Sequence, residues 1–278
     1  FFSSRRRHTR YISVTGVQTC ALPISYELAW DKAGNLYFVE IGNHVVRKVD
    51  AKTGAISTVA GTGKAGFSGD GGPAAKAQMS APHSLVIDPQ GDILVCDILN
   101  HRVRKVDMKA GTISTFAGNG EKKTSPDGTA IGASSLNGPR ALAFGRDGTL
   151  WLALREGNAL LKLDTKAGTL KRVAGTGKPG FTGNGGPALT ATLSGPKGAS
   201  VDAKGNVYLA DTESHSIRMV DVAKGTLELL VGDGKKADGP DGDPLKCRLA
   251  RPHGVFVDAD GAVYIGDSEN HRVRVLKK

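Results

Sequence analysis

A unit of nearly constant length repeats along most of the chain. Its copies align on one tight turn, whose first residues are 57, 57, 57 and 56 positions apart: Asp31, Asp88, Gly145, Asp202 and Asp258. A period this strict indicates copies of one supersecondary unit, each packed against its neighbours. The repeated residues are therefore expected to build the frame, and function is expected in the loops on one face.

The second copy shows what one unit contains. Short apolar or alternating runs are separated by turn residues, among them Asp88 and Gly91. This pattern predicts four short antiparallel strands, at residues 84–87, 93–96, 102–106 and 113–117. Four-stranded units in tandem are typical of propeller blades, so we predict an all-β fold, a β-propeller.

One position of the second strand holds a large residue in every copy: Tyr37, Leu94, Trp151, Tyr208 and Tyr264. We expect these side chains to pack between blades, because periodic large residues in strands usually belong to a core. The alternative is an aromatic platform on which a ligand stacks.

A long connection follows each fourth strand. The connections at residues 61–82 and 175–196 are nearly identical. Pro73 suits the first turn of a helix, so a short helix is expected from Ala74 towards Pro82. The connection should run from the outer edge of one blade to the inner strand of the next.

Several copies carry strings that resemble NHL repeats, at residues 35–37 with 43–45, 100–104 and 270–274. The resemblance covers residues 26–278, and the Gly-Asp-Gly-Gly-Pro-Ala connection is similar to the extended bacterial type, which is often found in exported multidomain proteins. It implies a β-propeller, usually of six blades. The third copy departs from the pattern, since Leu154 replaces the second-turn Asp and Gly157-Asn158 replaces Asn-His.

The copies divide the chain at approximately 26–82, 83–139, 140–196, 197–252 and 253–278. The first four have four strands and the fifth has three. We therefore expect four complete blades plus a three-stranded fifth, as in a truncated six-bladed ring. A strand from the N-terminal region would complete the fifth blade and leave no open edge.

Residues 1–25 lie outside the repeat. Residues 4–10 and 14–24 resemble the translated constant parts of a sequencing-library adapter, so we interpret residues 1–25 as a non-native segment that is not part of the fold. A signal peptide is the alternative, but the apolar part is too polar for one. On this interpretation any native export signal is missing.

Composition leaves most function classes open. Without residues 1–25, Lys and Arg fall from 37 to 33 against 27 Asp and Glu, which does not by itself indicate nucleic-acid binding. No apolar run approaches the about 18 residues of a membrane span. Cys96 and Cys247 fit neither a disulfide framework nor a metal spacing. The family resemblance favours an extracytoplasmic location, either periplasmic, cell-surface or secreted.

The candidate site is the ring of residues that begin the inner strands. The prolines that end the connections are followed by His83, Arg140, Lys197 and His253, and Tyr26 is the aligned residue of the first copy. These residues vary between copies and are polar, although the frame itself does not require polar residues at this position. Clustered cations favour carboxylate or phosphate groups, which predicts a small anionic ligand at the pore mouth. A plain solvated rim is the alternative.

Two of these residues also suggest a metal. The strings Pro82-His83 and Pro252-His253 are similar to the Pro-His strings that hold zinc in peptidyl-hydroxyglycine lyase propellers. Neutral imidazoles suit zinc. However, Arg140 and Lys197 share the ring and would repel a dication, and no third ligand is evident. We therefore predict no metal and no cofactor, and keep the pair His83 and His253 as the alternative.

Three further patterns are explained more simply by structure. Residues 61–66 and 175–180 match G-x-G-x-x-G but lack the βαβ context of a dinucleotide site. The acidic residues 238–243 lack the ligand spacing of a calcium loop. His44, His101, His215 and His271 recur with Arg47, Arg104, Arg218 and Arg274; they could form a basic comb for RNA, but their register favours neutralisation of the second-turn acids Glu40, Asp97, Asp211 and Asp267.

The sequence therefore favours a non-enzymatic propeller that binds a protein or a small anionic ligand through the face that carries the long connections. The alternative is a metal-dependent enzyme of the lyase or lactonase type with its site at the central pore. Nucleic-acid binding is the least favoured reading, because no aromatic residues interleave with the basic ones.

Overall fold

The computed structural model describes residues 25–277, which form strands and single turns of 3₁₀ helix. The strands are β1 (Ser25–Trp30), β2 (Leu36–Glu40), β3 (Val45–Val49), β4 (Ile56–Ala60), β5 (Pro82–Ile87), β6 (Ile93–Asp97), β7 (Arg102–Asp107), β8 (Thr112–Ala117), β9 (Pro139–Phe144), β10 (Leu150–Leu154), β11 (Ala159–Asp164), β12 (Thr169–Ala174), β13 (Gly186–Pro187), β14 (Pro196–Val201), β15 (Val207–Asp211), β16 (Ser216–Asp221), β17 (Thr226–Val231), β18 (Gly254–Val257), β19 (Val263–Asp267) and β20 (Arg272–Leu276).

These strands form five blades, one for each copy of the repeat. Four blades are antiparallel meanders of four strands in chain order, β1–β4, β5–β8, β9–β12 and β14–β17, and the fifth, β18–β20, has three. The two-residue strand β13 pairs with the outer edge of β17. The predicted all-β propeller is confirmed, and in the second copy the predicted strand ends differ from the observed ones by at most two residues.

The tight turns are stabilised by hydrogen bonds between residues of the same turn. Asp31 Oδ1 accepts hydrogen bonds from the backbone N–H groups of Ala33 and Asn35, each at 2.9 Å. Gly34 completes the turn at a φ of 85°, a value that glycine adopts without steric cost. The third copy begins this turn with Gly145, and there Asp147 accepts the N–H of Thr149 instead.

Hydrophobic clusters join each blade to the next. The repeated large residues are buried between blades as predicted, with Tyr37, Leu94, Trp151 and Tyr208 at most 4% exposed. Full burial of a large apolar side chain contributes roughly 1.5–3 kcal/mol. Tyr264 is the exception at 39% exposed, because no blade in residues 25–277 covers the far face of the fifth blade.

The arc of blades is open on two faces. Val273 is 70% exposed, whereas the residues at its position in the second and third blades, Val103 and Leu160, are fully buried. On the first blade Leu28 is 50% exposed, whereas its counterpart Leu85 is 1% exposed. Within the described residues, four clusters join five blades, and none joins the fifth blade to the first.

The connections do not contain the helix that we predicted. Ala74–Lys76 form one 3₁₀ turn, and the backbone is extended again at Ala77. The reason is that the backbone is used elsewhere, since the Ala74 carbonyl accepts the N–H of Gly61 and the Met79 carbonyl accepts the N–H of Gly66. A continuing helix would take these carbonyls into its own hydrogen bonds.

We interpreted residues 1–25 as a non-native segment. Of these, residues 1–24 lie outside the described residues, and Ser25 is the first residue of β1. Within residues 25–277 no helix is long and apolar enough to cross a membrane.

Candidate functional site

The predicted ring residues lie around one cavity. His83, Arg140 and Lys197 are each the second residue of an inner strand, and His253 immediately precedes one. All five inner strands contribute residues to the lining of the same cavity. The cavity measures about 440 Å³ and its lining includes His83, Arg140, Lys197 and His253. Because each comes from a different blade, the frame alone brings together residues that are 56 or 57 positions apart.

A lysine and a histidine of this ring contact each other. Lys197 Nζ lies 3.2 Å from His253 Nε2 and 3.1 Å from Glu213 Oε1. An ammonium group can only donate, so His253 Nε2 accepts. Burial and the charges of Lys197 and Arg140 lower the pKa of His253 from 6.5 to about 4. Its imidazole is therefore neutral near pH 7.

His83 is held in one tautomer. Its Nδ1 lies 2.9 Å from the carbonyl oxygen of Ala81, which can only accept, so Nδ1 carries the proton. Burial and the Arg140 guanidinium lower the pKa of His83 from 6.5 to about 3. The positive charge of this cavity therefore comes from Arg140 and Lys197, and the histidines offer neutral polar atoms.

Glu27 is a cavity residue that sequence reasoning missed. It lies on β1, one position after the aligned Tyr26, and lines the same cavity. Burial raises its pKa from 4.5 to about 7, although a hydrogen bond with Ser84 and the charge of Arg140 lower it in part. The sequence did contain a signal at this position, because the later copies have only small, uncharged residues there: Ser84, Ala141, Gly198 and Gly254.

An ionic belt surrounds one side of the pore mouth. Glu213 accepts two hydrogen bonds from Arg251, at 2.7 and 3.0 Å, besides its contact with Lys197. Arg251 also donates to Glu269 at 3.1 Å. These contacts lower the pKa of Glu213 to about 2, with Arg251 and Lys197 as the stabilising partners that outweigh its burial. The belt therefore holds Lys197 in place beside the cavity.

The repeated arginines neutralise the second-turn acids, as predicted. Arg104 Nη1 lies 3.4 Å from Asp97 Oδ2, Arg218 Nη1 lies 3.2 Å from Asp211 Oδ2, and the other two blades with this motif have the pairs Arg47–Glu40 and Arg274–Asp267. Arg104 and Arg218 are fully buried in these pairs. Arg104 and Arg218 therefore cannot belong to an exposed comb for RNA.

The repeated histidines have a different role from the predicted one. His44, His101 and His215 each use Nδ1 to accept the backbone N–H of the residue before the proline of the next blade, at 3.1, 3.4 and 3.2 Å. Their backbones are left-handed, with φ between 51° and 54°. In the third blade Asn158 replaces the histidine, and its Oδ1 accepts the N–H of Gly195 at 2.9 Å. The residue therefore joins its blade to the next one by a hydrogen bond, which is called a histidine tie below.

The acidic segment 238–243 is bound to arginines. Asp238 accepts from Arg272 and Arg274, each at 2.7 Å, and Asp241 pairs with Arg274. Within residues 25–277 no three His, Cys, Asp or Glu side chains are grouped closely enough to hold a metal ion. In the alternative metal site, His253 Nε2 faces the Lys197 ammonium, which is a poor environment for a dication.

Comparisons with known proteins agree with this fold. Residues 28–278 match the family model of the SMP-30/Gluconolactonase/LRE-like region. The chain is 30% identical over 275 residues to NHL repeat-containing protein 2 of Gallus gallus, with 88% of this chain and 37% of that protein covered. The resemblance to NHL repeats is thereby confirmed. The chain spans well under half the length of this relative.

Two solved structures share the fold. One is a catalytically inactive variant of virginiamycin B lyase from Staphylococcus aureus with quinupristin, with a TM-score of 0.58, 16% identity, and coverage of 96% of this chain and 73% of that one. The other is an auxiliary nutrient binding protein from Bacteroides thetaiotaomicron, with a TM-score of 0.62, 17% identity, and coverage of 92% and 69%. At such identities the likeness concerns the fold alone.

Proposed function

The chain belongs to the SMP-30/gluconolactonase/LRE-like family of β-propellers, and we propose that it acts within this fold as a non-enzymatic binding module. It binds a ligand or protein through the face that carries the long connections. The specific site is the pore mouth formed by His83, Arg140, Lys197 and His253, and the ligand there is a small anion that bears a carboxylate or phosphate.

The composition of the cavity carries this proposal. Two basic residues, Arg140 and Lys197, line a cavity of about 440 Å³, which matches the size of small-molecule sites. Arg140 is 7% exposed and the Lys197 side chain 5% exposed, so water screens their charges only weakly. The acid of the cavity, Glu27, has a pKa of about 7 and can take up a proton when an anion arrives.

We also propose that the natural protein closes as a six-bladed ring. The support comes from the two uncovered faces, on which Tyr264, Val273 and Leu28 occupy positions that are buried in the other blades. A sixth blade would cover both faces and complete the wall of the pore. The family resemblance further supports a bacterial, extracytoplasmic protein, and the gene sequence upstream of residue 26 tests both statements.

Calorimetric titration tests the site. The purified chain is titrated with acetate, succinate, citrate and phosphate at low ionic strength, alongside Arg140→Gln and Lys197→Gln. At least one anion should bind, and each variant should weaken it at least tenfold, since a hydrogen bond to a charged group contributes about 1.5–3 kcal/mol. Lys166→Gln is the matched control, because this exposed lysine lies in a tight turn on the opposite face.

Three outcomes would overturn the proposal. The first is that none of the four anions binds. The second is that Lys166→Gln weakens the affinity as much as the cavity variants do. The third is that the affinity is unchanged in both Arg140→Gln and Lys197→Gln. Metal analysis tests the enzymatic alternative, which is favoured only by the presence of His83 and His253 in one cavity. One stoichiometric divalent ion that is lost in His83→Ala would replace the binding-module proposal with that alternative.

A further inference from the structure

The cavity at the pore mouth contains a buried lysine. The Lys197 side chain is 5% exposed, whereas the other lysines that form ion pairs within residues 25–277 have side chains 27% to 83% exposed. Burial lowers the pKa of Lys197 below its usual value, although the contact with Glu213 raises it in part. A larger fraction of its amine is therefore unprotonated than in an exposed lysine, and only the unprotonated amine is a nucleophile.

A neutral imidazole lies beside this amine. Lys197 Nζ donates to His253 Nε2 at 3.2 Å and to Glu213 Oε1 at 3.1 Å. Burial and nearby cations lower the pKa of His253 to about 4, so its Nε2 has an accepting lone pair near pH 7. Glu213 is itself held by two hydrogen bonds from Arg251, at 2.7 and 3.0 Å. The amine is therefore fixed in position with a proton acceptor in contact, which is the arrangement that a nucleophilic side chain requires.

The same cavity holds a receptor for a carboxylate. Arg140 is 7% exposed and lies at the position of Lys197 in the preceding blade, since each is the second residue of its inner strand. Both residues line the cavity. A guanidinium binds a carboxylate through two parallel hydrogen bonds, and it stays protonated, so it does not react as a nucleophile. The cavity therefore combines one group that orients an acid with one that can react covalently.

We propose that the pore mouth takes a small 2-oxo acid, with its carboxylate on Arg140 and its carbonyl carbon joined to Lys197 Nζ as a reversible imine. This inference rests on the proposed anion site and names the class of ligand. In a 2-oxo acid the carbonyl carbon is bonded directly to the carboxylate carbon, so a compact molecule presents both groups to residues of adjacent blades. A cavity of about 440 Å³ accommodates such a molecule.

The reaction balances without a further reagent. The unprotonated Lys197 Nζ attacks the carbonyl carbon, an N–C bond forms, and the π electron pair of the carbonyl moves to its oxygen. His253 Nε2 takes one proton from the nitrogen and returns it to this oxygen, which gives a carbinolamine. The hydroxyl group then leaves with the second proton of the nitrogen as water, and a C=N bond remains. Water reverses these steps, so the module captures its ligand and releases it unchanged.

Reductive trapping of pyruvate tests the proposal. The folded chain is incubated with pyruvate and sodium cyanoborohydride, which reduces an imine to a stable secondary amine, and peptide mass mapping measures the adduct at each lysine. We expect the adduct to form at least about tenfold faster at Lys197 than at Lys166, an exposed lysine that serves as the internal control. Acetone, which has the carbonyl but no carboxylate, should show no such preference for Lys197.

Two variants and one competitor locate the reaction. Arg140→Gln should reduce the rate at Lys197 at least about tenfold and leave the rate at Lys166 unchanged, because the carboxylate loses a charged partner. His253→Gln should slow the adduct at Lys197 as well, and circular dichroism checks that both variants are folded. Lactate, which has the carboxylate but a hydroxyl in place of the carbonyl, should compete with pyruvate and leave no adduct.

An adduct spread evenly over exposed lysines would contradict the proposal, and so would an adduct at Lys197 that forms equally fast with acetone or in folded Arg140→Gln. Calorimetry with lactate separates this inference from the anion site on which it rests. Lactate binding without a pyruvate adduct at Lys197 would refute the imine and leave the anion site standing. The absence of both lactate binding and the adduct would refute the two together.

Discussion

Asp97 and Arg104 form an ion pair in which neither side chain is exposed, with 3.4 Å between Asp97 Oδ2 and Arg104 Nη1. In the third blade the same two positions hold Leu154 and Leu161, which are equally buried. In the third blade, therefore, both charged residues of the pair are replaced by leucine. A buried pair and a packed apolar pair can have similar stability, whereas a single buried charge costs several kcal/mol.

The first prediction follows from this exchange. Asp97→Leu should lower the free energy of unfolding by about 1–3 kcal/mol, because the buried Ser80 N–H loses its acceptor and Arg104, which keeps Asp70 at 2.6 Å, loses one of two carboxylate partners. The double variant Asp97→Leu/Arg104→Leu should lose less than the single one. Urea unfolding measures both. Glu40→Leu is the control, since its partner Arg47 is 31% exposed and water can solvate the orphaned charge. A double variant less stable than Asp97→Leu would contradict this explanation.

A second prediction concerns the histidine ties between blades. Asn158 makes in the third blade the bond that His44 makes to the Ala81 N–H in the first. His44→Asn should therefore keep nearly all of the stability, also because Asn tolerates the left-handed backbone. His44→Ala should lose about 1–2 kcal/mol, since a partly buried donor loses its acceptor. Thermal unfolding distinguishes them, and equal losses in the two variants would rule out the tie.

The third prediction is loss of stability in acid. The pKa values of His83 and His253 are lowered from 6.5 to about 3 and about 4 in the folded chain. Between those values and 6.5 the unfolded chain binds more protons, so the free energy of unfolding falls as the pH falls below about 6.5. His83→Gln with His253→Gln should flatten this slope. Urea unfolding from pH 7 to pH 4.5 measures it, and an unchanged slope would contradict the burial of neutral imidazoles.

Glu27 predicts a dependence of opposite sign over an overlapping range, from pH 4.5 to about pH 7. Its pKa is raised to about 7 in the folded chain from 4.5, so the folded chain binds more protons between these values and stability falls as the pH rises through them. Glu27→Gln should remove this decline. The same carboxylate competes for Arg140, so affinity for an anion should fall between pH 6 and pH 8 in the wild type and not in Glu27→Gln. Parallel pH dependence in both proteins would exclude Glu27 as the cause.

The fifth prediction compares the same substitution at equivalent positions of two blades, one exposed and one buried. Val273 is 70% exposed on the fifth blade, and Val103 is fully buried at the same position of the second. Val273→Asp should change the free energy of unfolding by less than about 0.5 kcal/mol, as surface substitutions usually do. Val103→Asp should unfold the chain or cost several kcal/mol, because it buries a carboxylate. A large loss in Val273→Asp would mean that the fifth blade is already covered in solution.

The repeat made the frame predictable. Positions shared by every copy, such as Tyr37 and Trp151, could be assigned to the core because only packing between blades repeats with that period. The ring of His83, Arg140 and Lys197 could be found for the complementary reason. These residues vary between copies at the position after the proline that begins each inner strand, and the fold brings that end of every inner strand to the axis.

What the sequence did not reveal depends on backbone details. The alignment placed Tyr26 in the ring, and Glu27, one position later, was missed because the other copies have small residues there. The connection is rich in alanine, which favours a helix, but the carbonyls of Ala74 and Met79 are used by Gly61 and Gly66. The histidine ties join residues 36 or 37 positions apart through a left-handed backbone, and no local pattern indicates such a bond.

The most direct test of the binding site is a crystal structure of the chain with the anion that binds most tightly in the titrations. We predict electron density for a carboxylate or phosphate within hydrogen-bond distance of Arg140 and Lys197, inside the cavity that Glu27 also lines. An anion found instead on the face with the tight turns, or density absent from this cavity at saturating concentration, would contradict the assignment of the pore mouth as the ligand site.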